Sequence, residues 1–239
     1  MGIFAIAIGT VLLPTLSKFD LNHEKDKFVN GIRKGQKFIL YIGIPSMIGL
    51  FFCAEDLIST IFYRGAFSGI DVINSAYSLM AFSFGLPFFM LMKVLTPAFF
   101  SRQDTKTPFY VALCSLILNA ILNYIFAFKL GYGHAGLAIG SSLAVLASSC
   151  ILFFVLIKQY LLSLSIIFHK TNLAAIFSSI ILLFAFNYFI GIDTEWMSEF
   201  YEYSGLVRIS LVTVIVILSS LFYFFISKWV FRVSNKDFY

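Results

Sequence analysis

The chain has 239 residues, of which 60% are hydrophobic and 12% charged, and its formal net charge is +5. Its mean hydropathy is +0.92. Soluble globular domains carry about 25% charged residues, so this composition excludes a soluble globular fold and predicts an all-α integral membrane protein. The basic residues lie in short loops and form no stripe along one helix, which favours membrane lipids over nucleic acid as the partner.

A helix needs about 20 apolar residues to span a bilayer. Segments of this kind occur about seven times along the chain. Each is too long for a strand, and no alternation of apolar and polar residues is visible, which argues against a transmembrane β-barrel. We predict spanning helices over 2–17, 37–54, 76–100, 108–129, 134–157, 171–191 and 205–231.

The first of these segments is the shortest. Its sixteen residues from Gly2 to Ser17 form about 24 Å of helix, against a hydrocarbon core of about 30 Å. It also lacks the basic start and the cleavage site of a signal peptide. We therefore expect a helix whose beginning is missing, in the C-terminal portion of a larger protein.

The loop charges predict an orientation in the membrane. The loops 18–37, 101–107 and 158–170 and the C-terminal tail hold thirteen basic residues, whereas the alternate loops 55–75, 129–134 and 192–204 hold two. Because basic loops stay in the cytoplasm, the C-terminus is expected inside and Met1 outside, which again calls for an upstream span. The acidic loop residues expected outside are Asp193, Glu195, Glu199 and Glu202.

Two loops carry apolar residues at helical spacing, which is typical of short amphipathic helices at a membrane interface. In the outer loop these residues are Leu57, Ile58, Ile61 and Phe62. In the inner loop they are Phe28, Val29 and Ile32.

The sequence contains no pattern typical of an enzyme. It has no metalloprotease, nucleophile-elbow or phosphate-loop motif, and no pair of carboxylates within a predicted span. The three histidines are scattered and the three cysteines stand apart. We therefore predict no catalytic residue, no metal and no cofactor.

Lys93 is a charged residue well inside a predicted span, about 12 Å from its inner end. A charge at that depth costs a few kcal/mol. Either its long stem carries the ammonium back to the headgroups, or the ammonium lines a water-filled cavity that receives an anionic headgroup. Pro87 and Pro97 flank it, and they favour a bent helix.

Three further features are candidates for a role. Asn119 and Asn123 share one helical face with Ser115, and they either bind a neighbouring helix or line a polar cavity. Arg102 and Asp104 lie in a compact inner loop, which is either a plain solvated turn or a cytoplasmic gate held closed by a pair between them. Small residues at four-residue spacing predict a close-packing face in the fifth span: Gly136, Gly140, Ala144 and Ser148.

Four motifs together resemble the MurJ/MviN family of lipid II flippases. They are GTVLLPTLS at 9–17, RGAF at 64–67, KVLTPAFFSRQDTKTP at 93–108 and HAGLA at 134–138. They occur in the family's order and spacing, and the third is long and specific. The resemblance covers residues 1–158 well, and the last two spans match by position only.

The resemblance implies a fold and a function. The family belongs to the multidrug/oligosaccharidyl-lipid/polysaccharide exporter superfamily, with two six-helix lobes and two extra helices. On that register residues 1–158 are second-lobe helices and 159–239 are the two extra helices. The implied substrate is lipid II, the undecaprenyl-linked peptidoglycan precursor, moved across the bacterial cytoplasmic membrane by alternating access. The extra helices would offer a groove for the lipid tail.

The resemblance also limits what this chain is expected to do. The family's cavity arginines lie mainly in the first lobe, so a separate chain supplying that lobe is a candidate partner. Lys93, Arg102 and Asp104 match charged motif positions. Alternative functions are another flippase or drug antiporter of the superfamily, or a non-transporting membrane scaffold. The antiporter is disfavoured because no predicted span contains a carboxylate.

Overall fold

A computed structural model describes residues 2–19, 23–159, 161, 170–190 and 205–229. All seven segments predicted to span the membrane contain an α-helix. A π-helical segment, Tyr124–Lys129, continues the fifth helix. The α-helices of the described residues are α1 Gly2–Leu16, α2 Lys25–Phe52, α3 Ala54–Phe62, α4 Gly69–Phe100, α5 Lys106–Asn123, α6 Gly133–Lys158, α7 Lys170–Ile190 and α8 Gly205–Trp229.

Four of these helices are long and apolar enough to cross a bilayer, namely α2, α4, α5 with its π-helical end, and α6. α1, α7 and α8 are also apolar, over the shorter stretches Ile6–Leu16, Thr171–Ile181 and Val216–Trp229. The prediction of an all-α, multi-pass membrane protein is confirmed. The acidic 192–204 segment, His169 and the residues after Trp229 lie outside the described ranges, so the predicted orientation stays a prediction.

The outer amphipathic segment forms the expected short helix. α3 follows α2 directly after Cys53 and ends at Phe62. The next helix begins with a capping box, in which the Ser68 backbone N–H donates to the Asp71 carboxylate at 2.9 Å and the Asp71 N–H donates back to the Ser68 hydroxyl at 3.4 Å. This cap starts α4 seven residues earlier than the predicted 76.

The inner amphipathic segment is not a separate interfacial helix, and that prediction is wrong. α2 is continuous from Lys25 to Phe52, so the predicted span at 37 extends backwards through this segment. Phe28 and Ile32 are 1% and 0% exposed and pack into the core with Leu16. Their apolar face is covered by protein and not by the membrane interface, which removes the reason for a break in the helix.

α4 is the central helix of the fold. It packs against α1, α2, α3 and α6. Its buried face supplies much of the main apolar cluster, including Val94, Leu95 and Phe99, all 0% exposed. Small residues let its neighbours come close. A Cβ added to Gly85 would lie 2.9 Å from the Cβ of Ser142 on α6, whose hydroxyl donates to the Ala81 carbonyl at 2.7 Å.

The small-residue face of α6 packs as predicted. All four residues of the stripe are buried. A Cβ added to Gly136 would lie 2.6 Å from the Ala127 backbone nitrogen, and Gly140 lies against Asn123. α5 and α6 therefore approach almost backbone to backbone, which is the usual way in which helices associate where lipid surrounds them.

Proline leaves one carbonyl of α2 without its usual helical partner. Pro45 has no N–H, so it cannot donate to the carbonyl of Tyr41 four residues earlier. The Tyr223 hydroxyl of α8 donates to that carbonyl at 2.7 Å, and the site is buried. Because a polar group unpaired in hydrocarbon costs several kcal/mol, this hydrogen bond ties α8 to the middle of α2.

A proline in α4 also lies at a contact with a neighbouring helix. Pro97 cannot donate to the carbonyl of Lys93, and Gly9 of α1 lies against that carbonyl. A Cβ on Gly9 would stand 2.9 Å from the Lys93 oxygen. Only glycine lets α1 approach so closely, so the missing helical bond and the helix packing occur at the same place.

The Tyr223–Tyr41 bond predicts a coupling between two substitutions. Tyr223→Phe should destabilise the protein by about 0.5–2 kcal/mol, because the freed carbonyl loses its donor. In a Pro45→Ala background the same change should cost less, since the introduced alanine restores the helical N–H. Unfolding in a denaturing-detergent titration measures both costs.

Pro14→Ala is the matched control, because it restores a helical N–H in α1, away from Tyr223. In that background the cost of Tyr223→Phe should equal the cost in the wild type. An equal cost in the wild-type and Pro45→Ala backgrounds would contradict the role given to the freed carbonyl.

Candidate functional site

Lys93 lies on the exposed side of α4, next to α1. Its side chain is exposed, whereas Val94 and Leu95 beside it are fully buried. Phe89 and Phe100, at helical spacing from Lys93, are 40% and 42% exposed. The structure therefore places the ammonium on a face of α4 that the packed helices leave open.

Asn119 and Asn123 lie where α5 meets α6. The Asn119 amide donates to the Ser141 hydroxyl at 3.1 Å, and the Asn123 amide donates to the Asn119 carbonyl oxygen at 3.0 Å. The Ser115 hydroxyl donates to the Ala144 carbonyl at 3.4 Å. These contacts favour the packing alternative, because they connect the two helices along the small-residue face. The structure does not bring the two amides together with Lys93 in one hydrogen-bonded cluster.

Arg102 bonds to the end of α6 and not to Asp104. Its guanidinium donates to the Gln159 side-chain oxygen at 2.7 Å and lies 5.4 Å from the centre of the Phe99 ring. The arginine thus joins the loop between α4 and α5 to the residue that follows α6. A tie at the predicted cytoplasmic end exists, but its partner is a glutamine far along the chain.

Asp104 organises the start of α5. Its carboxylate accepts hydrogen bonds from the backbone N–H of Thr107 at 3.0 Å and from the Thr107 hydroxyl at 2.8 Å. The backbone bond is the main cause that lowers the pKa of the Asp104 carboxyl, and the nearby Arg102 charge adds to it. Gln103 adopts a left-handed conformation, φ 61°, which ends α4 and turns the chain towards this cap.

A cavity of about 550 Å³ opens between α2 and α8, and α3 and α7 complete its walls. We call it the α2/α8 groove. Its lining is almost wholly apolar and includes Pro45 and Gly49 of α2, Leu57 of α3 and Val216 of α8. The groove runs along α2 towards α3, and Tyr223 forms its opposite end.

The contacts that build that end were not predicted from the sequence. The Tyr41 hydroxyl donates to the Ser227 hydroxyl at 2.6 Å, and the Tyr41 and Tyr223 rings lie 5.3 Å apart between centroids. Pro45 indicates part of this arrangement in the sequence, because a proline cannot donate to the carbonyl four residues earlier, which belongs to Tyr41. Nothing in the sequence says that the donor comes from a residue 182 positions away.

α3 carries a carboxyl with a shifted pKa next to the groove. Burial and, second, the neighbouring Glu55 charge raise the pKa of Asp56 to about 6. Leu57, the next residue, lines the groove. The charge on Asp56 therefore opposes the packing of α3 at this end of the groove near neutral pH.

The long, apolar, packed helices define a multi-pass membrane protein. The sequence profile of the family described as "Lipid II flippase MurJ" matches residues 1–216. The chain therefore belongs to the MurJ family, whose name describes a transporter and not an enzyme.

Relatives support the same assignment. The chain is 40% identical to a probable lipid II flippase MurJ of Vibrio cholerae over 64% of this chain and 29% of the relative. A probable lipid II flippase MurJ of Rickettsia prowazekii is 29% identical over 99% of this chain and 46% of the relative. The chain thus spans less than half the length of these relatives.

A solved structure shares the fold. It is a lipid II flippase MurJ in an inward closed conformation, 27% identical in sequence, with a TM-score of 0.74. The match covers 97% of this chain and 44% of that structure. The arrangement of α1–α8 is therefore that of part of a MurJ protein.

The Asp56 carboxyl predicts a pH dependence. Its pKa of about 6 in the folded protein lies above the unfolded value of about 3.9. The folded state therefore binds the proton more readily, and stability should rise as pH falls from 7 to 5, by about 1–2 kcal/mol. The thermal midpoint in mild detergent measures this rise.

Asp56→Asn should remove most of the rise and raise the midpoint at pH 7. Glu55→Gln is the control, because burial, the main cause of the shift, persists when the neighbouring charge is removed. A rise of equal size in Asp56→Asn and wild type would assign the pH effect to other groups.

Proposed function

We propose that this chain forms part of a lipid II flippase, which moves the undecaprenyl-linked peptidoglycan precursor across the bacterial cytoplasmic membrane by alternating access. Membership of the MurJ family over residues 1–216 carries the proposal. The matched relatives are more than twice as long as the matched part. Transport therefore requires sequence beyond these 239 residues, either in the same polypeptide or in a companion chain.

In this function the open face around Lys93 lines the central cavity. The substrate headgroup carries a diphosphate, and an ammonium is a strong donor to phosphate oxygens. The side chain is exposed on α4 while the adjoining residues are buried, so it is available to a ligand on the side that the chain leaves uncovered. The close approach of Gly9 fixes the backbone of Lys93 against α1.

The α2/α8 groove takes part of the prenyl tail. It lies between apolar helices, its lining is almost wholly apolar, and it opens sideways where lipid chains surround the protein. A hydrocarbon chain in the groove makes favourable apolar contacts and leaves no hydroxyl group of the lining without a hydrogen bond. The substrate has a charged headgroup and an apolar tail. A headgroup site on α1 and α4 and a tail site between α2 and α8 fit these two parts.

The tie between Arg102 and Gln159 belongs to the cytoplasmic side of this scheme. It joins the α4–α5 loop to the end of α6, so these three helices move as one body when the lobes rock. The C-terminus is proposed to be cytoplasmic, on the side of the basic loops.

Complementation tests the headgroup site. The aligned segment of the Rickettsia prowazekii relative is replaced by this chain, and the chimera is expressed in a strain depleted of its own flippase. Lys93→Ala should lower survival, because a hydrogen bond to a charged group contributes roughly 1.5–3 kcal/mol, or tenfold or more in affinity. Lys93→Arg, which keeps the charge, should retain more survival. Wild-type growth of Lys93→Ala at equal expression would leave the ammonium reaching the headgroups as the better account.

Gly49→Phe tests the tail groove in the same chimera. A Cβ at Gly49 meets nothing within 4 Å, so a phenyl ring should occupy the groove without distorting the backbone. Survival should fall while the amount of protein in the membrane stays constant. Gly69→Phe is the matched control, since Gly69 also has open space but does not line the groove. Equal survival of the two variants would remove the groove from the mechanism.

A further inference from the structure

The end of the α2/α8 groove opposite α3 is closed by two packed tyrosines. Tyr41 and Tyr223 are 8% and 4% exposed, and they form one buried cluster with the small residues Ala174 and Ala175 of α7. Phe224, next to Tyr223, is 53% exposed, so the burial belongs to the tyrosine pair in particular. At this level α2, α7 and α8 meet in that buried cluster.

This closed end is fixed by hydrogen bonds. Tyr223 donates to the Tyr41 carbonyl that Pro45 leaves without a helical donor, and Tyr41 donates to Ser227, which is 0% exposed. Moving either ring aside would break these buried hydrogen bonds in an apolar environment, which is costly. The pair is therefore a rigid wall and not a flexible side chain that a ligand displaces easily.

On the α3 side of the tyrosine pair the groove is open because several of the residues that line it have small side chains. Ser46 and Gly49 of α2, Ser179 of α7 and Ser219 of α8 stand where larger residues would fill it. Three of the hydroxyls donate within their own helices, Ser46 to the Ile42 carbonyl at 2.7 Å, Ser179 to Ala175 at 2.6 Å and Ser219 to Val216 at 3.1 Å. With the donors occupied, these walls offer a ligand apolar contact.

We propose that the Tyr41–Tyr223 pair sets the length of prenyl chain that the groove holds, with Tyr223 as the specificity-determining residue. The proposal rests on the proposed function, in which the occupant is the chain of a polyprenyl phosphate. The affinity of prenyl phosphates rises with each isoprene unit until the groove is full. Beyond that length further units lie in the surrounding lipid, and the affinity reaches a plateau.

One substitution should lengthen the groove at its closed end, and another should shorten it. Tyr223→Ala removes a phenol ring, which is slightly larger than one isoprene unit, so the plateau begins at least one unit later. Ser219→Leu fills the groove one helical turn before Tyr223, about 5.4 Å away, so the plateau begins earlier. The second variant adds volume, and it tests the proposal even where removal of the tyrosine prevents folding. Phe222→Ala is the matched control, because this neighbouring ring is 41% exposed and does not line the groove.

The experiment measures binding of a series of prenyl phosphates, from geranyl to undecaprenyl, to the purified chain in phosphatidylcholine nanodiscs by native mass spectrometry. For the first unit beyond the wild-type plateau, Tyr223→Ala should gain about tenfold in affinity, the effect of burying roughly two further methylene groups. Ser219→Leu should lose a similar factor for the last unit before the plateau, and Phe222→Ala should follow the wild type.

An unmoved plateau in both variants, with probes still bound, overturns the proposal and leaves the proposed function intact. Displacement of all probes by an equal concentration of phosphatidylglycerol overturns it as well, because the groove then holds ordinary membrane lipid. If Gly49→Phe binds prenyl phosphates as tightly as the wild type, the groove is not their site. That outcome counts against the tail site of the proposed function itself.

Discussion

The fold depends on how neighbouring helices approach, in an apolar solvent, the backbone carbonyls to which a proline cannot donate. In water such a carbonyl would be hydrated, but in hydrocarbon another part of the protein must approach it. Tyr223 supplies a hydroxyl to the carbonyl that Pro45 frees in α2, and Gly9 brings α1 against the carbonyl that Pro97 frees in α4. α8 is therefore held to α2 by a hydrogen bond at Pro45, whereas α1 meets α4 at Pro97 by close packing.

The same constraint explains why the two sites lie where they do. Lys93 provides both the carbonyl that faces Gly9 and the exposed ammonium, so the contact between α1 and α4 and the exposed cation belong to one residue. Tyr223 provides both the hydroxyl that holds α8 and the ring that ends the groove. In each case one residue joins packing to a surface that a ligand can reach, so substitutions there require a separate measurement of folding.

The sizes of the side chains explain why α4, α5 and α6 pack closely whereas a groove remains between α2 and α8. Gly85, Gly136 and Gly140 let α4, α5 and α6 approach to backbone distance, which leaves no room for a ligand between them. Between α2 and α8 small residues line the groove on the α3 side of the tyrosine pair, whereas Ser227, on the other side of the pair, is buried against Tyr41. Small residues thus produce close packing in one place and a binding surface in another.

The class of protein and most of its helices follow from the amino-acid sequence alone. Runs of about 20 apolar residues have few alternatives to helices in a membrane, so the spans, the short helix α3 and the small-residue face of α6 were predicted from composition and spacing. The motif at 93–108 also sufficed to predict the family. By contrast, tertiary packing is what buries Phe28 and Ile32 in the core with Leu16 of α1, so that α2 is one helix from Lys25. It likewise decided that Arg102 bonds to Gln159 and that Tyr41 meets Tyr223 and Ser227. These partners lie far apart in the chain, and a helical pattern specifies which face is apolar but not which distant residue comes to meet it.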